Sequence, residues 1–111
     1  MYLLVKKIAE PHKEKIVHIE GKIDQKVDIF LFTISTCMWC KLGKKWLKER
    51  SYPHSYLDID MLPLEDKNRL KAKLSELIGE QPRFPFLVTD TERWHSGYDT
   101  SIWEDILSEK K

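Results

Sequence analysis

The chain has 111 residues, 41% of them hydrophobic and 33% charged, enough apolar side chains for one core and too few residues for a second. Nineteen Lys and Arg against eighteen Asp and Glu leave a net charge of +1, which excludes bulk attraction to nucleic acid or to an anionic membrane. The longest uncharged run, residues 29–40, is well short of the roughly 20 residues that cross a bilayer. The start, Met1–Val5 followed by Lys6 and Lys7, does not read as a signal peptide, so a cytoplasmic location is expected.

Tyr2-Leu3-Leu4-Val5 and the alternating Lys15–Ile19 suggest two short strands, with a turn at Glu10–Lys13 between them. From Val27 to Ile34 nearly every residue is apolar and many are β-branched or aromatic, the pattern of a strand buried on both faces. Ser35-Thr36 interrupts it. Met38, Leu42 and Trp46-Leu47 then recur at helical spacing as far as Arg50. Tyr52-Pro53 stops that helix, because a residue before proline avoids helical torsions.

His54–Ile59 alternates as a second strand, and Leu64–Ile78 carries Leu70, Leu74, Leu77 and Ile78 on one helical stripe with Gly79 beyond it. Phe86-Leu87-Val88 predicts a third strand, Asp90-Thr91 a turn and Glu92–His95 a fourth. Asp99 or Thr100 is placed to cap a last helix holding Ile102, Trp103, Ile106 and Leu107. The expected architecture is α/β. It is a four-stranded mixed sheet flanked by three helices (residues 27–111), preceded by a β extension in residues 1–26 that contributes a strand pair.

Cys37 and Cys40 are the only cysteines. A bridge between positions this close constrains almost no loop in the unfolded chain, so a structural staple is a poor explanation. Their placement says more than their spacing. Cys37-Met38-Trp39-Cys40 follows a buried strand and opens a helix, where unpaired backbone N–H groups carry partial positive charge. A thiolate at Cys37 is expected to be stabilised there. Cys40, one turn further in, is within reach of that sulfur. The division of labour follows: Cys37 attacks a disulfide, and Cys40 attacks the mixed disulfide that results. Lys41, Lys44 and Lys45 read as a solvated face rather than as groups that tune the thiolate.

A structural zinc site wants four ligands, and there is no second C-x-x-C; no metal site is expected on that count. A two-thiolate Cu(I) or Zn(II) module of metallochaperone type stays open as the alternative, because soft metals accept such pairs. Pro85 stands directly ahead of a strand and cannot donate to the ladder. With a cis Phe84–Pro85 bond, the backbone of Phe84 would face the thiols and pair with an incoming chain. Trp39, between the two cysteines, is expected to touch substrate. Trp46, Trp94 and Trp103 fall on elements that must pack.

Three features together, Ser35-Thr36-Cys37-x-x-Cys40 after a strand, Pro85 before the third strand, and Ser96-Gly97-Tyr98-Asp99 before the last helix, resemble glutaredoxins and their relatives in the thioredoxin superfamily. The Leu57-Asp58-Ile59-Asp60 stretch and the Phe84-Pro85 pair are similar to small glutaredoxin-like proteins of anaerobic bacteria and archaea. The resemblance implies a thioredoxin-like fold and thiol–disulfide exchange. In it Cys37 is the nucleophile, Cys40 the resolving thiol, Pro85 the cis proline, and Gly97, Tyr98 and Asp99 substrate contacts.

It implies no organic cofactor beyond the redox-active Cys37–Cys40 disulfide, a disulfide-bearing protein or a small thiol as substrate, and glutathione or a reductase as electron donor. The chain departs from the family pattern in Met38-Trp39 where Pro-Tyr is usual, in lacking a lysine within Thr33–Thr36, and in an acid, Asp99, one place early. The donor is therefore open between glutathione and a reductase.

Overall fold

The computed structural model describes residues 1–22 and 27–108. Helix α1 spans Tyr2–Ala9 and runs into a 3-10 segment, Glu10–Lys15, before strand β1, Val17–Ile19. Strand β2 (Ile29–Thr33), helix α2 (Met38–Glu49) and strand β3 (His54–Asp58) follow. Then come a short 3-10 turn at Ile59–Met61, helix α3 (Leu64–Ile78), strands β4 (Phe86–Thr89) and β5 (Trp94–Ser96), and helix α4 (Thr100–Leu107).

The five strands form one mixed sheet in the order β1-β3-β2-β4-β5. β2 and β3 are parallel, as expected of strands joined through a helix, and β4 runs antiparallel to both β2 and β5. β2 sits at the centre and is buried along its whole length. Its residues alternate between two cores. Phe30 and Phe32 pack with Leu57, Leu70, Leu74 and Phe86 on one face. Ile29 and Leu31 pack with Leu47, Leu87, Trp103 and Ile106 on the other. That is why the run reads as continuously apolar rather than alternating.

The strand expected at Tyr2–Val5 is helix α1, so residues 1–22 contribute one strand to the sheet and not a pair. Tyr2, Val5 and Ala9 are buried in the first core while Leu3 and Leu4 are exposed, a helical period that four apolar residues in a row conceal. β1 is the second of the expected strands and lies antiparallel on the outer edge of β3. The fourth strand of the expected domain starts two residues late, at Trp94, because Glu92 takes a left-handed φ of 66° and the turn runs on through it. The boundary expected between residues 26 and 27 borders residues that lie outside the described ones. Among the described residues no helix is long and apolar enough to cross a membrane.

Candidate active site

The carboxyl end of β2 delivers the chain to the two cysteines. Ser35 is held there by Asp60, just beyond β3. Its N–H donates to Asp60 Oδ1 at 2.9 Å, and its hydroxyl donates to Oδ2. Burial pushes the Asp60 carboxyl up, but the two Ser35 donors, its own N–H and the charge of Lys67 outweigh that and leave it below the ordinary carboxylate value. The clamp ties the segment before Cys37 to the 3-10 turn that follows β3.

Cys37 is the N-cap of α2, in extended backbone, and its Sγ accepts the N–H of Cys40 at 3.3 Å. A cysteine thus takes the capping role usually filled by a hydroxyl or carboxylate. Its thiol also points at the carbonyl oxygen of Phe84, 3.9 Å away. Cys37 is partly exposed and Cys40 fully buried, so one sulfur faces the surface and the other faces the core. Cys40 Sγ accepts the N–H of Ile34 at 3.4 Å. Burial pushes the Cys40 thiol up to about 12, with its hydrogen bond to the Cys37 sulfur adding to the rise, while the Ile34 N–H and the charge of Lys44 act against it. Both cysteines are free thiols.

Three further segments close around the pair. The Phe84–Pro85 bond is cis, and the Pro85 carbonyl accepts the N–H of Gly97 at 3.0 Å. Gly97 has φ +100°, a conformation that a side chain disfavours. Tyr98 stacks on Trp39, ring centres 5.9 Å apart, and meets the buried Trp103 edge-on at 5.5 Å. Trp39 itself remains 57% exposed. Under the helix, a Cβ on Gly43 would stand 2.8 Å from Trp103 and 3.2 Å from Pro85, so only glycine lets α2 pack this closely on both.

The structure therefore gathers Cys37, Cys40, Trp39, Phe84, Pro85, Gly97 and Tyr98 at one end of the sheet. Asp99 follows them in the chain, and its Oδ1 accepts the N–H groups of Ser101 and Ile102 at 3.0 and 3.1 Å, capping α4. Trp46 and Trp94 are half-buried and Trp103 fully buried, as packing demands. Two features of the site are not apparent from the sequence. The Asp60 clamp was signalled only by two acids, Asp58 and Asp60, at the end of a strand. Lys44 is the inward-turned exception among the three lysines: its Nζ lies 2.9 Å from Asp58 Oδ1, whereas Lys41 and Lys45 are exposed. Among the described residues no group of three or more His, Cys, Asp or Glu is arranged to hold a metal ion.

A parallel–antiparallel sheet with a C-x-x-C pair at the start of the helix after its central strand is the architecture of thioredoxin-like redox proteins. The glutaredoxin family profile matches residues 29–94, and the chain belongs to that family. Among solved structures it is similar to a glutaredoxin from Methanosarcina mazei Go1, at 21% identity and a TM-score of 0.65, covering 86% of this chain and 89% of that one. A glutaredoxin from Archaeoglobus fulgidus matches at 20% identity and a TM-score of 0.66, covering 76% and 89%. Methanosarcina acetivorans methanoredoxin matches at 25% identity and a TM-score of 0.60, covering 74% and 85%. No curated protein sequence matches the chain.

Proposed function

We propose that the chain is a cytoplasmic dithiol oxidoreductase that reduces protein or small-molecule disulfides through Cys37 and Cys40. The single observation that carries this reading is the asymmetry of the two sulfurs on one helical turn. Cys37 is partly exposed and accepts an N–H at the helix start, while Cys40 is buried and hydrogen-bonded to it. Negative charge on Cys37 meets a donor and the positive end of a helix, which suits an attacking thiolate. Cys37 attacks a substrate disulfide, forming a mixed disulfide and releasing one thiolate. Cys40 then gives its proton to solvent and attacks the Cys37 sulfur, releasing the second thiolate and leaving the Cys37–Cys40 disulfide. Electrons from a reductase or from glutathione restore the dithiol.

Trp39, Phe84, Pro85, Gly97, Tyr98 and Asp99 form the rim that a substrate meets. Phe84 offers its backbone beside the reacting sulfur, the position from which an extended chain is held by main-chain pairing.

The test is trapping. Cys40→Ser is expected to accumulate a mixed disulfide at Cys37 when offered disulfide-bearing peptides, and Cys37→Ser to trap none and lose exchange altogether, both read by intact mass. Tight Cu(I) or Zn(II) binding by the reduced chain with no measurable exchange would overturn the proposal in favour of a metal-carrying module. Offering glutathione, a thioredoxin reductase and a ferredoxin-linked system in turn identifies the electron donor.

A further inference from the structure

Lys44 lies four residues after Cys40 and seven after Cys37, so it continues their stripe along α2. Its ammonium is turned toward the sheet, 2.9 Å from Asp58 Oδ1 and 3.9 Å from the centre of the Tyr56 ring. The two side chains of this ion pair are only 23% and 21% exposed. Asp58 Oδ1 also accepts the hydroxyl of the buried Thr33 at 2.6 Å. Thr33 precedes Ile34, whose N–H donates to Cys40 Sγ. The end of β2 thus touches the ion pair with one residue and the buried sulfur with the next.

We propose that Lys44, fixed by Asp58, is a positioning residue for the second step of the exchange, its charge favouring the Cys40 thiolate that must form before the mixed disulfide can be resolved. The inference rests on the exchange reading above. Among the described residues the titratable and charged groups near Cys40 are few. On its own helix they are Cys37 and Lys44. On β3 there is Asp58, which offsets part of the Lys44 charge; beyond β3 there is Asp60, engaged by Ser35 and by the charge of Lys67 on α3. The loop before β4 brings the Phe84 carbonyl to Cys37, not to Cys40. Burial opposes ionisation of Cys40; the Ile34 N–H is the first group that acts against burial, and Lys44 is the cation that adds to that effect. Once Cys37 is tied up in a mixed disulfide it carries no negative charge, and the field of Lys44 acts on Cys40 without that competitor.

Single-turnover kinetics with dithiobis-nitrobenzoate separate the steps. The first thionitrobenzoate is released as Cys37 attacks, in a phase that depends on reagent concentration. The second is released as Cys40 closes the disulfide, in a phase that does not. Lys44→Met is expected to leave the first phase unchanged, to slow the second about tenfold near neutral pH and to move its pH midpoint up by about one unit. Lys44→Arg keeps the charge and is expected to retain most of the second phase. Asp58→Asn removes the offsetting charge and is expected to move the midpoint the other way, to lower pH. This opposite sign is what a packing role could not produce.

An unmoved midpoint in Lys44→Met, or shifts of the same sign in Lys44→Met and Asp58→Asn, would overturn the inference while leaving the exchange reading intact. Absence of the first phase in the wild-type chain would instead remove the exchange reading, and this one with it.

Discussion

The outer and inner sides of the first turns of α2 are built to different rules. On the outer side Met38 and Trp39 are 71% and 57% exposed, with one stacking partner, Tyr98. On the inner side Cys40, Gly43 and Leu47 are buried against β2, Pro85 and Trp103, with the Lys44–Asp58 pair beside them. Side chains one position apart on this helix therefore live in different media. Large apolar groups left in water on the outside are poor choices for stability and good ones for contact with a second molecule. On the inside, every atom is a neighbour of another, and a change is felt through the packing.

The largest contrast is expected in the sulfurs themselves. A thiol pushed up to about 12 is almost entirely protonated near pH 8, and only the thiolate is alkylated. Iodoacetamide should therefore label Cys40 at least about a hundredfold more slowly in the folded chain than in the urea-unfolded chain. The direction follows from the sign of the shift: a raised value lowers the thiolate fraction at every pH below it, so labelling of Cys40 should accelerate as pH rises. Quantitative peptide mass spectrometry after timed quenching checks this. Equal labelling of Cys40 in both states would erase the distinction between the two sides.

Next in size is the effect of emptying the inner side. Trp103 is fully buried, with Gly43, Trp46 and Tyr98 against its ring. Trp103→Ala should lower unfolding free energy by about 3–5 kcal/mol, measured by urea denaturation. Among the described residues its indole N–H has no hydrogen-bond partner, so the loss comes from the buried apolar surface and the vacated volume, with no hydrogen bond to add. A loss below about 1 kcal/mol would mean that α2 and α4 are not packed as one layer.

How much of this was legible beforehand differs between the same two sides. The cysteine pair, the strand that leads to it and Pro85 announce themselves through local pattern: a buried run, a spacing and a proline at a strand start. The inner side depends on partners far along the chain. Gly43 meets Trp103, Lys44 meets Asp58, and Ser35 meets Asp60, and no local periodicity couples these positions. Lys44 sits in a run of lysines that looks uniformly solvated, and only the position of β3 singles it out. The N-terminal helix is hidden in the sequence for a related reason. Tyr2-Leu3-Leu4-Val5 has a strand's composition, and its helical face appears only when Tyr2, Val5 and Ala9 are seen against α3 and the sheet.

The outer side should yield the smallest change in stability and a change in recognition. Trp39 stacks on Tyr98 and is more than half exposed, so Trp39→Ala should alter unfolding free energy by no more than about 0.5–1.5 kcal/mol, the range of one aromatic pair. Its effect should appear in substrate affinity. A rim residue that meets the substrate before and after bond exchange changes KM and leaves kcat nearly untouched, because it binds ground and transition states alike. Steady-state turnover of a disulfide-bearing peptide, with Trp39→Phe beside Trp39→Ala, separates the cases. The phenyl ring should recover most of the KM, since it restores a flat apolar face. A fall in kcat with KM unchanged would instead make Trp39 part of the machinery that places Cys37, and the outer side would then share the inner side's role.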